Sequence, residues 1–207
     1  TEMAADAYQY AIQQTKEAQI KYLINQANIR TSEIKGTSVQ EFLQTLRDIK
    51  ADQKGYMLDN IEVSAYASPD GSMKVNTALA QKREQSSKKY VGESLKKNNL
   101  ETELDTRYTA EDWDGFQQLL QASNVQDKDI ILRVLSMYQD PEEREKQIRN
   151  ISAGYDELAK EILPELRRAR LTIHYNLIGR SDDEIQEQLK TDASKLSVEE
   201  MLYAATL

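Results

Sequence analysis

The chain has no cysteine. Disulfides, thiolate metal sites and cysteine nucleophiles are therefore excluded. The compartment stays open, because a core of sufficient size needs no disulfide even in an oxidising space. Also missing is any apolar run approaching the roughly 18 residues that a membrane-spanning helix requires. Positive charge is in deficit: 27 Lys and Arg stand against 35 Asp and Glu, a formal net charge of −8. A nucleic-acid footprint is normally basic, so no nucleic-acid partner is expected. Histidine is nearly absent. The single His174 has no metal-ligand partners at suitable spacing and reads as a surface or inter-element residue of a strand. Nucleophile elbows, phosphate loops and histidine-containing triads are missing too, so no catalytic set, cofactor or metal is expected. The sequence opens on Thr1 with neither an initiator Met nor a signal peptide, and we expect an excised or processed piece.

What is present is the balance of a folded protein: 39% hydrophobic and 30% charged residues over 207 positions, room for one or two domains. The stretch 61–91 organises the rest. Ile61, Val63, Ala65 and Ala67 alternate with Glu62, Ser64, Tyr66 and Ser68, the period-2 pattern of a half-buried strand. Ser68-Pro69-Asp70-Gly71 is a turn: Pro fixes φ, Asp bonds the backbone locally and Gly tolerates positive φ. Val75, Leu79, Ser86 and Tyr90 then fall on one face at helical spacing. A strand thus ends in a tight polar turn that launches an amphipathic helix. The carboxyl end of a strand is a common place for ligand contacts.

Ahead of this stretch, Tyr8, Tyr10 and Ile12 alternate, while Met3, Ala7 and Ala11 suit a helical turn. Both strand and helix fit residues 1–17, which we treat as an N-terminal extension. Ala18, Ile20, Tyr22 and Ile24 alternate with Gln19, Lys21, Leu23 and Asn25 as a strand. Ser38-x-x-Glu41 is a capping box that opens a helix through Val39, Phe42, Leu43, Leu46 and Ile49, ending near Asp52. After the central stretch, Asn98 and Asn99 break the helix, and Leu100, Thr102, Leu104, Thr106 and Tyr108 alternate as a third strand. Residues 109–164 are helical. Thr109-x-x-Asp112 caps a helix containing Trp113, Phe116, Leu119 and Leu120, and Ile130, Ile131, Val134, Leu135 and Tyr138 carry another. Asp140-Pro141-Glu142-Glu143 is a helix start with Asp as cap and Pro at the first position. Leu171, Ile173, Tyr175 and Leu177 alternate as a fourth strand. Beyond Gly179, Ser181-x-x-Glu184 and Ser197-x-x-Glu200 are two more capping boxes, and Met201, Leu202 and Ala205 share an apolar face. Residues 180–207 read as a helical tail, the start of a following helical region. The expected fold is α+β, in the order β-α-β-α-β-(helical insertion)-β. It is a sandwich in which a mixed sheet of about four strands carries the 38–52 and 75–95 helices on one face.

Asn76-x-x-Leu79-Ala80-x-x-Arg83 resembles the N-x-x-L-S-x-x-R-A signature of OmpA-like domains, periplasmic modules that bind peptidoglycan. Gly71, Asn76, Leu79 and Arg83 stand in the family's register. The chain departs from it at Ser68, where the family has Asp, and at Ala80, Glu84 and Ser87. Two further stretches agree in order. Asn25-Gln26-Ala27-Asn28-Ile29-Arg30 resembles the F-N-x-x-x-x-x-L that follows the family's first strand, and Arg167-Arg168 resembles its N-R-R-V-E-I close. The likeness spans about residues 18–179, with 109–164 as inserted helices.

The resemblance implies a non-catalytic domain of the cell envelope, periplasmic and associated with the outer membrane. It also implies a pocket for the diaminopimelate of the peptidoglycan stem peptide. Arg83 would take the ligand's carboxylate, and the Asp that Ser68 replaces would take its ammonium. Opposite charges a few ångströms apart beside backbone N–H groups suit such a zwitterion. Asp70 is the substitute carboxylate at a different angle, but Pro69 limits its re-aiming, which favours a degenerate pocket. The candidate ligand residues are Ser68, Asp70, Asn76 and Arg83. Set against this, Asp70 reads as a turn residue and Arg83 as an exposed helix charge. The alternative function is a degenerate OmpA-like scaffold that binds other cell-envelope proteins through its inserted helices and tail. Glu111-Asp112-Trp113-Asp114 reads as helix capping rather than as catalytic carboxylates around a sugar-stacking Trp. Lys88-Lys89 and Lys96-Lys97 read as the solvated side of the second helix. Of the eleven tyrosines, Tyr66, Tyr90 and Tyr175 suit core or rim positions, and Tyr8, Tyr10, Tyr56 and Tyr203 suit an interaction surface.

Overall fold

Ile61, Val63 and Ala65 are fully buried, as their alternation requires, and the strand that holds them is central to a four-stranded sheet. A computed structural model describes residues 10–151, 154–179 and 182–191, with 196, 200–202 and 205. In chain order the elements are β1 (Ala11–Lys21), α1 (Thr31–Ile34), α2 (Thr37–Ala51), β2 (Tyr56–Tyr66), α3 (Met73–Lys97) and β3 (Glu103–Thr109). There follow α4 (Trp113–Gln121), α5 (Lys128–Met137), α6 (Pro141–Asn150), α7 (Tyr155–Glu161), α8 (Leu163–Leu166), β4 (Arg168–Ile178) and α9 (Asp182–Thr191). The sheet order is β1-β4-β2-β3, with β4 antiparallel to both neighbours and β2 parallel to β3. A parallel pair needs a crossover, and α3 supplies it. This is the expected α+β architecture with a mixed four-stranded sheet.

One face of the sheet is apolar and covered. Ala18, Ile20, Ile61, Val63, Leu171 and Ile173 pack against Val39, Phe42, Leu46 and Ile49 of α2 and Val91 and Leu95 of α3. Each fully buried aliphatic or aromatic side chain there stabilises by roughly 1.5–3 kcal/mol. The other face is polar. Glu62 lies 3.3 Å from His174 and 3.7 Å from Arg107, and Arg107 donates to the Ser64 hydroxyl at 2.9 Å. His174 thus stands opposite the core side chains of its own strand, as its alternation predicts.

Helices α4 to α8 build a second core of their own, with Phe116, Leu120, Ile131, Ile148, Leu158 and Leu166 buried together. This helical segment is fastened to the end of the sheet where β2 runs into its turn. The Asp112 N–H donates to the Ala67 carbonyl at 3.3 Å, Lys21 pairs with Glu165 at 2.7 Å, and Arg168 meets Asp112 at 3.4 Å.

Several local expectations give way. The first strand begins at Ala11, not Ala18, because β4 offers a partner along its whole length, from Ala11 opposite Ile178 to Lys21 opposite Arg168. Likewise β2 begins at Tyr56, since β4 pairs with it from Leu177 onward. Ser38 is no cap: α2 starts at Thr37 behind Gly36, and the Ser38 hydroxyl accepts the Gln19 N–H of β1 at 3.2 Å. Glu33 accepts the Lys21 N–H in the same way at 2.6 Å. Two side chains therefore cover the outward donors of an edge strand, a site of unwanted pairing if left bare. The cap of α4 is Asp112, which accepts the Gly115 N–H, and not Thr109. Asp140 caps α6 as its sequence predicts. The capping serines Ser181 and Ser197, and Tyr8 and Tyr203, lie outside the described residues. Among the described residues no helix is long and apolar enough to cross a membrane.

Candidate functional site

The turn after β2 is built as its residues dictate. Gly71 sits at φ +95°, the left-handed region that glycine enters without penalty. Ser72 then caps α3, its hydroxyl accepting the Val75 N–H at 3.3 Å. Ser68 is buried, and its hydroxyl donates to the Asp70 carboxylate. On its other side Asp70 faces Arg167 at 3.7 Å. The Gly71 N–H donates to Glu145 of α6 at 3.1 Å. Arg149, one helical turn on, grips the same Glu145 oxygen at 2.8 Å and lies over the Tyr155 ring at 5.0 Å.

The face that α3 turns inward is not the expected one. Val75 is 53% exposed. The buried set is Asn76, Ala80, Arg83, Ser87, Val91, Ser94 and Leu95, one residue out of phase with Val75, Leu79, Ser86 and Tyr90. Its upper half is polar because hydrogen bonds, not apolar contacts, hold it. Arg83 is 0% exposed, which overturns its reading as an exposed helix charge. It donates from Nε to the Gln26 carbonyl at 2.9 Å, from one terminal nitrogen to the Tyr66 carbonyl at 2.9 Å, and from the other to the Leu23 carbonyl at 3.2 Å. The guanidinium lies over the Tyr22 ring at 5.2 Å, and the Tyr22 hydroxyl shares a hydrogen bond of 2.7 Å with Ser87. Burial pushes Arg83 down to about 10, opposed first by Tyr22, so it remains a cation at neutral pH. In effect it clamps the chain after β1 to the end of β2.

Asn76 is 3% exposed, with its Oδ1 close to Gly71. Its buried Nδ2 forms no hydrogen bond of proper geometry. Glu111 is nearby. Burial raises its carboxyl above the ordinary range, and Trp113 and the Asn76 amide oppose that shift. The Trp113 indole N–H donates to Glu111 at 2.9 Å.

No family model and no curated protein matches the chain. Among solved structures it is similar to the OmpA-like domain of FopA1 from Francisella tularensis subsp. tularensis SCHU S4. The TM-score is 0.39 and the identity 12%, over 82% of this chain and 77% of that one. No residue role is carried over from that likeness.

Of the four candidate residues, Ser68, Asp70 and Asn76 are gathered at the turn. Arg83 lies behind the last carbonyl of β2, bonded elsewhere. The charged groups that do meet the turn, Glu145, Arg149 and Arg167, were not among the candidates. Glu145 and Arg149 are recognisable in the sequence as an i,i+4 pair on one helix, but nothing there says that this helix lands on Gly71. Among the described residues no group of three or more His, Asp or Glu side chains is placed to hold a metal ion.

Proposed function

We propose that this chain is a non-catalytic, OmpA-like scaffold of the periplasmic cell envelope that engages protein rather than cell-wall peptide. One observation carries the reading: the polar groups a zwitterionic stem peptide would use are already paired within the chain. Ser68 and Arg167 hold Asp70, Glu145 holds the Gly71 N–H, and three carbonyls hold Arg83. A charge-assisted hydrogen bond contributes roughly 1.5–3 kcal/mol, so breaking even one to admit a ligand lowers affinity about ten- to a hundredfold. Purified sacculi in a pull-down test it. The wild-type protein is expected to stay in the supernatant. Retention on sacculi that is lost in Asp70→Ala would overturn the proposal in favour of diaminopimelate binding. That second reading keeps one support, since the turn already holds a carboxylate, though the carboxylate is the chain's own.

A further inference from the structure

The order β1-β4-β2-β3 leaves an edge strand on each side of the sheet, and the two are treated differently. Ser38 and Glu33 take N–H groups of β1. Among the described residues no side chain or loop does the same for β3. That strand is tied to β2 at both ends. The Thr102 hydroxyl donates to the Asp59 carbonyl at 3.0 Å, and the Thr109 carbonyl accepts the Ala67 N–H at 3.1 Å. Because the Thr109 carbonyl faces β2, the two-residue alternation of a strand turns the backbone groups of Arg107 and Asp105 to β2 as well. The N–H and C=O groups of Leu104, Thr106 and Tyr108 then face outward, a row of donors and acceptors along a firmly held edge. Their side chains lie on the face that carries the core, level with Ile61, Val63 and Ala65, and Tyr108 is 41% exposed. Asp105 and Arg107 stand on the polar face, level with Glu62 and Ser64.

We propose that β3 pairs antiparallel with β3 of a second copy of this chain, about a twofold axis at Thr106, so that the two sheets become one. The sequence of the strand is complementary to itself in that register. Leu104 falls opposite Tyr108 of the second copy, Asp105 opposite Arg107, and Thr106 opposite Thr106, with each unlike pair made twice. The outward-facing Leu104, Thr106 and Tyr108 form the hydrogen-bonded pairs of the ladder. Asp105 and Arg107 therefore meet in non-hydrogen-bonded pairs, where the Cα atoms approach to about 4.5 Å and side chains are closest. The Arg107 side chain, 68% exposed, is free to turn to the new carboxylate. Charged side chains ordinarily guard an edge against pairing. Here they select one pairing, because the registers on either side set Asp105 or Arg107 against its own copy. The inference goes beyond the scaffold reading and is separable from it: retention on sacculi would refute that reading without moving the dimer.

The test is sedimentation equilibrium of the full chain from low micromolar to millimolar concentration. So short a ladder is a weak interface, and a monomer–dimer equilibrium within that range is expected. Asp105→Arg and Arg107→Asp each turn two opposite-charge pairs into like-charge pairs, and each should weaken the dimer by about tenfold or more. The double variant Asp105→Arg with Arg107→Asp restores both pairs and should recover the dimer, which a merely structural role for either residue would not produce. Thr106→Pro deletes the outward N–H at the axis, a change that an edge strand tolerates, and should leave a folded monomer by circular dichroism. If that variant does not fold, the charge exchange carries the test. Amide hydrogen exchange supplies the register: with rising concentration the amides of Leu104, Thr106 and Tyr108 should slow, while those of Asp105 and Arg107, already turned to β2, stay unchanged. A wild type that is monomeric throughout the range would overturn the pairing, leaving the edge to a strand of another protein. So would a dimer indifferent to these substitutions, a double variant that fails to recover it, or protection that falls on the other amides.

Discussion

Arg83 can play one of two roles. If it serves a ligand, replacing it with Ala leaves stability nearly untouched; if it is a clamp, the fold suffers. The geometry argues for the clamp, since its bonds run to the carbonyls of Leu23, Gln26 and Tyr66 and it has no exposed surface. Bonds from a charged donor contribute roughly 1.5–3 kcal/mol each, but they share one desolvation cost and do not add. Arg83→Ala strips three carbonyls of their donor at roughly 1–3 kcal/mol for each group left unsatisfied, and with partial relaxation we expect a total loss of about 3–5 kcal/mol. Arg83→Lys keeps a cation, but a single ammonium cannot span three carbonyls in fixed directions, so about half that loss is expected. Against a typical stability of roughly 5–15 kcal/mol, the Ala variant loses a large share of the total and the Lys variant a smaller one. Urea unfolding followed by circular dichroism and by the fluorescence of Trp113 reads both. Because the folded value is about 10, below that of an ordinary arginine, the unfolded chain binds the extra proton only between the two values. Stability therefore rises with pH in that window, and the deficit of the Ala variant is flat from about pH 6 to about pH 9. A deficit under about 0.5 kcal/mol, the range of an ordinary surface change, would refute the clamp.

Two further outcomes follow from the same end of the molecule. Ser68→Asp sets a second carboxylate against Asp70 in a buried position, where the Ser68 hydroxyl now donates. It should destabilise by about 1–3 kcal/mol at neutral pH, with much of the loss recovered on acidification as the two share a proton, and it should not create retention on sacculi. Glu111→Gln tests the raised carboxyl. A folded value above the ordinary 4.5 means that the native state binds the proton more tightly, so the stability from Glu111 is present below 4.5 and lost as pH rises through the folded value. The Gln variant, which can still accept from Trp113, should therefore be the more stable at neutral pH and lose that advantage near pH 4. Parallel denaturation curves at both pH values, with equal differences, would contradict it.

Much of the fold is legible in the residues because strand periodicity is local. Ile61, Val63 and Ala65 announce their face without help, and so do Leu171 and Ile173. The helices between β3 and β4 are readable for the same reason, since Phe116, Leu120, Ile131, Val134 and Leu135 recur at helical spacing. What fails is whatever depends on a distant partner. The inward face of α3 is set by Tyr22, Leu23 and Gln26, far away in the chain, whose hydroxyl and carbonyls call for Ser87 and Arg83. Counting apolar residues selects Val75 and Leu79 instead, one position off. Ser38 fails for the same reason: its three-residue spacing to Glu41 fits a cap, but the bare N–H of Gln19 on an edge strand is the stronger claimant. Of the turn site, Ser68, Asp70 and Asn76 are legible and brought together. Glu145, Arg149 and Arg167 are not, because each reaches the turn from an element that only the tertiary fold brings near.

The arginine pair before the last strand shows how the turn and the helical segment became one unit. Arg167 and Arg168 are consecutive, so at the start of an extended strand they point to opposite sides. Arg167 goes to Asp70 in the turn at 3.7 Å, and Arg168 goes to Asp112, the cap of α4, at 3.4 Å. Arg168 also lies over the Tyr66 ring at 5.4 Å, at the last residue of β2. Burial and its neighbour Arg170 both lower Arg168, and Asp112 and Tyr66 oppose them. One dipeptide therefore fastens the end of β2, the turn and α4 at a single place. Glu145 then reaches that turn from the far side of the same helical segment. Loss of the covering helices would take the Asp112 partner from Arg168 and the Glu145 acceptor from the Gly71 N–H. The helices are part of the site's charge balance, and they hold the turn in the shape that its own residues begin.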